Sequence, residues 1–180
     1  MSTASGMSSH AEGGDSISAI EGGYAAGIGS HAEGLLTTSV GDYSHAEGRQ
    51  TVTTGDGSHS EGYSTSAGGK YSHAEGKYTT AVGIASHTSG YYNIANADYS
   101  QVLGGSENTI NASAEGSAII AASGITATTA YTLYTGSLIW VDGHIKSIQT
   151  TLPTINIEDN KGITAATLSE TSTDIKGKHR

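Results

Sequence analysis

Residues 44–57 read SHAEGRQTVTTGDG, residues 58–71 read SHSEGYSTSAGGKY and residues 72–85 read SHAEGKYTTAVGIA. The pentad Ser-His-Ala-Glu-Gly also stands at Ser9–Gly13 and Ser30–Gly34, and decayed copies begin at Ser86 and Ser100. From Ser30 to Ser100 the leading serines keep a 14-residue spacing without a slip. Between Gly34 and Gly90 glycine recurs at every half-repeat. Self-similarity at a fixed short period is the mark of stacked repeats. Two glycines per repeat predict two turns, since glycine accepts the left-handed backbone that tight turns require. A helical heptad is excluded, because glycine is a poor helix former and no apolar a/d stripe accompanies it.

A coil with two turns holds two short strands, and alternate residues of a strand face opposite ways. Ser44 and Ala46 then share one face, and His45 and Glu47 the other. In the second strand Thr51 pairs with Thr53, Thr65 with Ala67, and Thr79 with Ala81. One face is always small. A 14-residue coil encloses little space, so its interior is predicted to be Ser, Ala and Thr, with His and Glu pointing outward. Stacked at about 4.8 Å per coil, eight coils make a rod of about 40 Å. So thin a core buries little apolar area at about 25 cal/mol per Å², and the chain is expected to assemble with copies of itself.

Composition agrees with this architecture. Among 180 residues there are 26 Gly, 25 Ser and 23 Thr, while Phe and Cys are absent and charged residues make up only 14%. A disordered chain of low hydrophobicity usually carries far more charge. The net charge of −9 argues against a nucleic-acid partner, which needs clustered cations. Without cysteine there is no disulfide frame and no thiolate metal site. The N-terminal MSTASGMSSHAEGG has neither a basic nor an apolar segment of a secretory signal. No apolar run approaches the roughly 20 residues of a membrane helix, so no membrane insertion is expected.

The 14-residue pattern, over about residues 9–124, resembles the head repeat of YadA-like trimeric autotransporter adhesins. That family's pentad is typically Ser-Val-Ala-Ile-Gly, followed by Ala or Thr pairs and a second glycine. Similar Ser-His-Ala-Glu-Gly arrays occur in bacteriophage tail fibres and related virion proteins. The resemblance implies an all-β fold, a left-handed parallel β-roll, and a homotrimer with the second and fourth pentad residues at subunit contacts. Here those positions are His31, Glu33, His45, Glu47, His59, Glu61, His73 and Glu75, so the contact becomes polar where the family has Val and Ile. With no secretion signal or C-terminal barrel anchor in view, the expectation moves from a bacterial surface adhesin head to a fibre or decoration component of a phage virion. Its partners would be other virion proteins and a host-surface glycan or protein.

The His/Glu face admits three chemistries. The first is a ladder in which each imidazole donates to a neighbouring chain's carboxylate, a charge-assisted bond of about 1.5–3 kcal/mol if buried; acid is then expected to loosen the assembly. The second is a metal site, repeated along the stack, with imidazole and carboxylate as ligands. The pattern favours the first, with no metal or cofactor. The third, a Ser-His-Glu hydrolase, fails because Ser44 and His45 are adjacent on a strand and face opposite ways. No enzymatic activity is expected. Tyr43, Tyr71 and Tyr99 recur on every second repeat and are candidates for stacking on a host sugar, against the alternative of packing on turns. Gly55-Asp56-Gly57 lacks the lysine and the strand-loop-helix context of a phosphate loop.

After Gly104 the period slips. Ala112–Gly116 reads as a late pentad offset by two, and Ser117–Gly124 as a last, more apolar coil. Residues 1–124 are assigned to the roll. Residues 125–180 are assigned to a small β cap or attachment segment with a hairpin turn at Val141–His144, punctuated by Pro153 and ending in a polar tail.

Overall fold

The computed structural model describes residues 1–13 and 22–136. They form a parallel β-solenoid with no helix, whose coils each contribute one strand to each of two sheets. The first sheet runs β1 (Thr3–Ala4), β3 (Tyr24–Ala25), β5 (Thr38–Ser39), β7 (Val52–Thr53), β9 (Ser66–Ala67), β11 (Thr80–Ala81), β13 (Ile94–Ala95), β15 (Thr109–Ile110) and β17 (Thr126–Ala127). The second runs β2 (His10–Glu12), β4 (His31–Leu35), β6 (His45–Arg49), β8 (His59–Tyr63), β10 (His73–Lys77), β12 (His87–Thr88), β14 (Gln101–Leu103), β16 (Ala118–Ile120) and β18 (Leu133–Thr135). Every pairing is parallel, and from His31 to Gln101 each residue pairs with its equivalent in the next repeat.

The serine that leads each pentad is explained by one contact. Its hydroxyl donates to the carbonyl three residues earlier: Ser30 to Gly27, Ser44 to Gly41, Ser58 to Gly55, Ser72 to Gly69 and Ser86 to Gly83, at 2.6–2.8 Å. These serines are buried, and the short hydroxyl closes the turn from inside without taking the space of a larger side chain. The interior is as small as the repeat predicts. Ala32, Ala46, Ser60 and Ala74 form one fully buried column, and Ala25, Ser39, Thr53, Ala67 and Ala81 another.

Towards the C-terminal end the coils lengthen and the interior grows with them. Ile94 of β13 pairs with Thr109 of β15, one position beyond the regular repeat, and Gln101 of β14 pairs with Ala118 of β16, three beyond it. The inward column becomes Val102, Ile119 and Tyr134, opposite Ile110. These residues form the larger apolar cluster of the described chain. The first extra residue falls at Gly104-Gly105, and a buried amide pair absorbs it. Asn93 donates to the carbonyls of Ser89 (2.6 Å) and Gly105 (3.1 Å) and accepts from the Asn108 backbone N–H (2.9 Å) and side-chain amide (3.1 Å). Asn108 passes the ladder on, donating to Ala122 O (2.7 Å) and accepting from Ile125 N–H (3.0 Å). Asn93→Ala strands these buried groups and is expected to cost about 2–4 kcal/mol in urea unfolding; Thr, the residue of the preceding coils, should not restore the loss, because it cannot span to Asn108.

One sequence expectation is corrected. Ala112–Gly116 is not a pentad strand but part of the turn between β15 and β16. Ser117 takes the leading-serine role, its hydroxyl donating to Ala114 O at 2.7 Å, and Gln101 pairs with Ala118. The extra residues of this coil go into the turn, because the strands must stay in register with their neighbours. Parallel pairing also continues past Gly124 through β17 and β18. The hairpin turn at Val141–His144, Pro153 and the polar tail lie outside the described residues.

Candidate functional site

The outward side of the second sheet carries the His and Glu columns, because position two and position four of each pentad lie on the same side of the strand. Register puts His10, His31, His45, His59, His73 and His87 directly above one another, with Glu12, Glu33, Glu47, Glu61 and Glu75 in the next column but one. The imidazoles stack with ring centroids 4.6–4.9 Å apart; from His31 to His87 the rings are parallel to within 8°, and His10 is tilted 37° against His31. His10, Glu12 and His87 extend the expected ladder at both ends. Their place was readable from Ser9–Gly13 and from the decayed pentad at Ser86.

Five of the six stacked imidazoles, all but His59, bring Nε2 within 3.7 Å of a carboxylate of their own chain. His31 Nε2 lies 3.6 Å from Glu12, His45 Nε2 3.7 Å from Glu47, His73 Nε2 3.6 Å from Glu61 and His87 Nε2 3.5 Å from Glu75. These Nε2 atoms, and that of His59, are enclosed and without a hydrogen-bond partner, although about a third of each side chain of His31, His45, His73 and His87 remains exposed. Contacts of this length are ion pairs at best; a charge-assisted hydrogen bond would be about 2.7–2.9 Å.

Like groups so close perturb one another. Burial pushes the His59 pKa down, and its stacked neighbours His73 and His45 add to the effect against the opposing pull of Glu61 and Glu75. Burial raises Glu47, which also shares a hydrogen bond with Glu61. In Glu61 burial acts upward too, but the bond from Glu47 and the adjacent His59 and His73 outweigh it, and its pKa is lowered. The two carboxyls are therefore pushed in opposite directions, Glu47 up and Glu61 down. The pH sign follows from His59: its folded pKa lies below the ordinary 6.5, so its stability is present above that value and lost as pH falls through the folded pKa. Glu61 acts the same way below its ordinary 4.5, and Glu47 the opposite way. Between pH 7 and pH 5 the melting temperature should fall, and His59→Gln should flatten the curve. A melting temperature constant over that range would contradict the ladder.

Tyr43, Tyr71 and Tyr99 occupy turns, not strands, each at φ near +58°. Their period of two coils has a steric cause. The rings of Tyr43 and Tyr71 lean over the equivalent turn of the coil before, where that residue is glycine: a β-carbon at Gly57 would stand 2.8 Å from Cδ1 of Tyr71, and one at Gly29 3.1 Å from Cδ1 of Tyr43. A ring on one coil therefore calls for a small residue on the coil beneath. Tyr131 continues the column over Gly116 and was hidden from the sequence by the lengthened coils. All four are well exposed, Tyr43 by 73%.

A second aromatic group lies at the other turn. Tyr78 stacks on Tyr92 at 4.5 Å, with Tyr63 and Tyr91 set edgewise against them. Lys77 Nζ lies 5.3–5.7 Å from the rings of Tyr63, Tyr78 and Tyr91, and the Arg49 guanidinium 5.4 Å from that of Tyr63. Such cation–π contacts contribute about 0.5–1 kcal/mol at exposed sites. Lys70 sits over Tyr71 and 3.5 Å from Asp56. Every Lys and Arg among the described residues is thus placed on a tyrosine ring.

Fold and surface together define an all-β parallel solenoid with 14-residue coils whose outer columns repeat from coil to coil. No family model matches the chain, and no curated protein matches it.

Proposed function

We propose that this chain is a structural, non-enzymatic fibre or decoration component of a bacteriophage virion, a left-handed β-roll that works as a homotrimer and helps the particle adhere to a host-surface glycan or protein. The observation that carries the proposal is repetition: the same outward side chains recur in register on successive coils, as in the His and Glu columns. A repeated surface suits many weak contacts along a rod, where avidity multiplies a modest affinity. A single catalytic constellation has no place in it.

Two further features support the reading. The interior of the regular coils is built from Ala, Ser and Thr, which limits what one chain gains by folding alone. Tyr24, Val40, Val82 and Ile84 are more than a third exposed and offer apolar area to sister chains. The exposed Tyr43, Tyr71, Tyr99 and Tyr131, together with Tyr91, Tyr92 and Lys77, offer flat faces to a sugar. Sedimentation equilibrium should return three times the 18.2 kDa chain mass, and gold-labelled antibody should decorate intact virions. A single-chain mass overturns the trimer; label confined to bacterial cells replaces the virion role with that of a surface adhesin head.

A further inference from the structure

We infer that the His/Glu ladder is a linear array of binding sites for a divalent transition ion of the zinc class. The separation of the donors is the first ground. An ion bound at about 2.0–2.1 Å from imidazole and about 2.0–2.2 Å from carboxylate in tetrahedral geometry holds those two ligand atoms about 3.4 Å apart. The ladder presents His Nε2 and Glu oxygen at 3.5–3.7 Å in five places, too long for a hydrogen bond and close to the spacing that one shared ion imposes.

The second ground is the enclosure of these nitrogens. Nε2 of His31, His45, His59, His73 and His87 is enclosed and accepts or donates no hydrogen bond, and enclosed polar atoms without partners are rare in folded proteins. Four of them, those of His31, His45, His73 and His87, lie 3.5–3.7 Å from a carboxylate oxygen. The third is charge. Five carboxylates stand in successive coils with no Lys or Arg among their ion-pair partners, and a bound cation would relieve their repulsion.

Ligand atoms of His10, Glu12 and His31, of His45, Glu47 and His59, and of Glu61, His73 and Glu75 each lie within 4.8 Å of one another. These three groups share no residue. A fourth, His31, Glu33 and His45, borrows from two of them, and one Nε2 serves one ion. Among the described residues the ladder therefore has capacity for three ions. Each site supplies three protein ligands and leaves a position of a tetrahedral ion for water or a residue of another chain. Mixed imidazole and carboxylate donors favour zinc, cobalt or nickel over magnesium.

The test uses the full chain, stripped with chelator, at pH 7.5. After zinc loading and desalting, elemental analysis should find about three ions per chain, unaffected by excess magnesium. The double variant His45→Gln/His59→Gln should retain about two, with its β circular dichroism intact. On the wild type, cobalt should give the absorption bands of a tetrahedral centre and shift the histidine ring resonances. Zinc not retained, magnesium taken up equally, a double variant with the full complement, or ring signals unmoved by cobalt would each overturn the inference. The cobalt experiment decides even if the variant fails to fold. The count is per chain, so it stands or falls apart from the sedimentation result.

Discussion

Gly69→Ala should unfold the rod's middle while Gly68→Ala, one residue away, leaves it intact. A β-carbon on Gly69 would fall on the carbonyl groups of Gly83 and Val82 in the next coil, and these are backbone atoms that cannot step aside. The same turn recurs at Gly41 and Gly55, each against the equivalent glycine of the following coil. Parallel coils sit about 4.8 Å apart, so a methyl group between two turns must lever the coils open and strain the ladder bonds on either side. A loss of about 3–5 kcal/mol is expected, at the upper end of overpacking effects. At Gly68 the nearest atoms are Thr54 Oγ1 at 3.7 Å and Ala81 O at 3.9 Å, ordinary contact distances, and φ is not in the left-handed region. Alanine there should be neutral or stabilise by about 0.4–1 kcal/mol through the unfolded chain. Urea unfolding of the two variants checks this; equal midpoints would show that coil spacing is not set by the turns.

The second large effect concerns the match between coil length and interior volume. Ile119 is fully buried between Val102 and Tyr134, where the coils exceed the regular repeat. Ile119→Ala should leave a cavity and cost about 2–5 kcal/mol. Ala74 occupies the corresponding inward position of a regular coil, between Ser60 and Thr88. Ala74→Ile adds the very side chain that Ile119 supplies elsewhere, yet it should destabilise by about 3 kcal/mol, because the narrow coil has no room and its strands cannot separate without breaking pairing. If Ala74→Ile were neutral or stabilising, the small interior would be a matter of composition and not of geometry. Thermal unfolding of both variants distinguishes the two.

Both effects bear on the outer face. The His/Glu ladder exists only because successive coils are held in register, and the glycine turns and the serine hydroxyls beneath them hold that register. A coil levered apart at Gly69 would also separate His59 from His73, so the pH dependence assigned to His59 should weaken in the same variant.

Period and composition alone determined the parallel coils, the two turns, the small interior and the alignment of His31, His45, His59 and His73. They could do so because each coil repeats the same local rule: alternation sets the face, and glycine sets the bend. The later coils were less legible. Ala112–Gly116 imitates the pentad in sequence, but only the contact of Ser117 with Ala114 and the pairing of Gln101 with Ala118 identify the true strand, since insertions move freely within turns and not within paired strands. Tertiary packing alone decided where the imidazole nitrogens point, why tyrosine appears on every second coil, and how Asn93 and Asn108 absorb the extra residue. Those are contacts between coils, and a linear pattern records which residues are stacked without recording what their side chains reach.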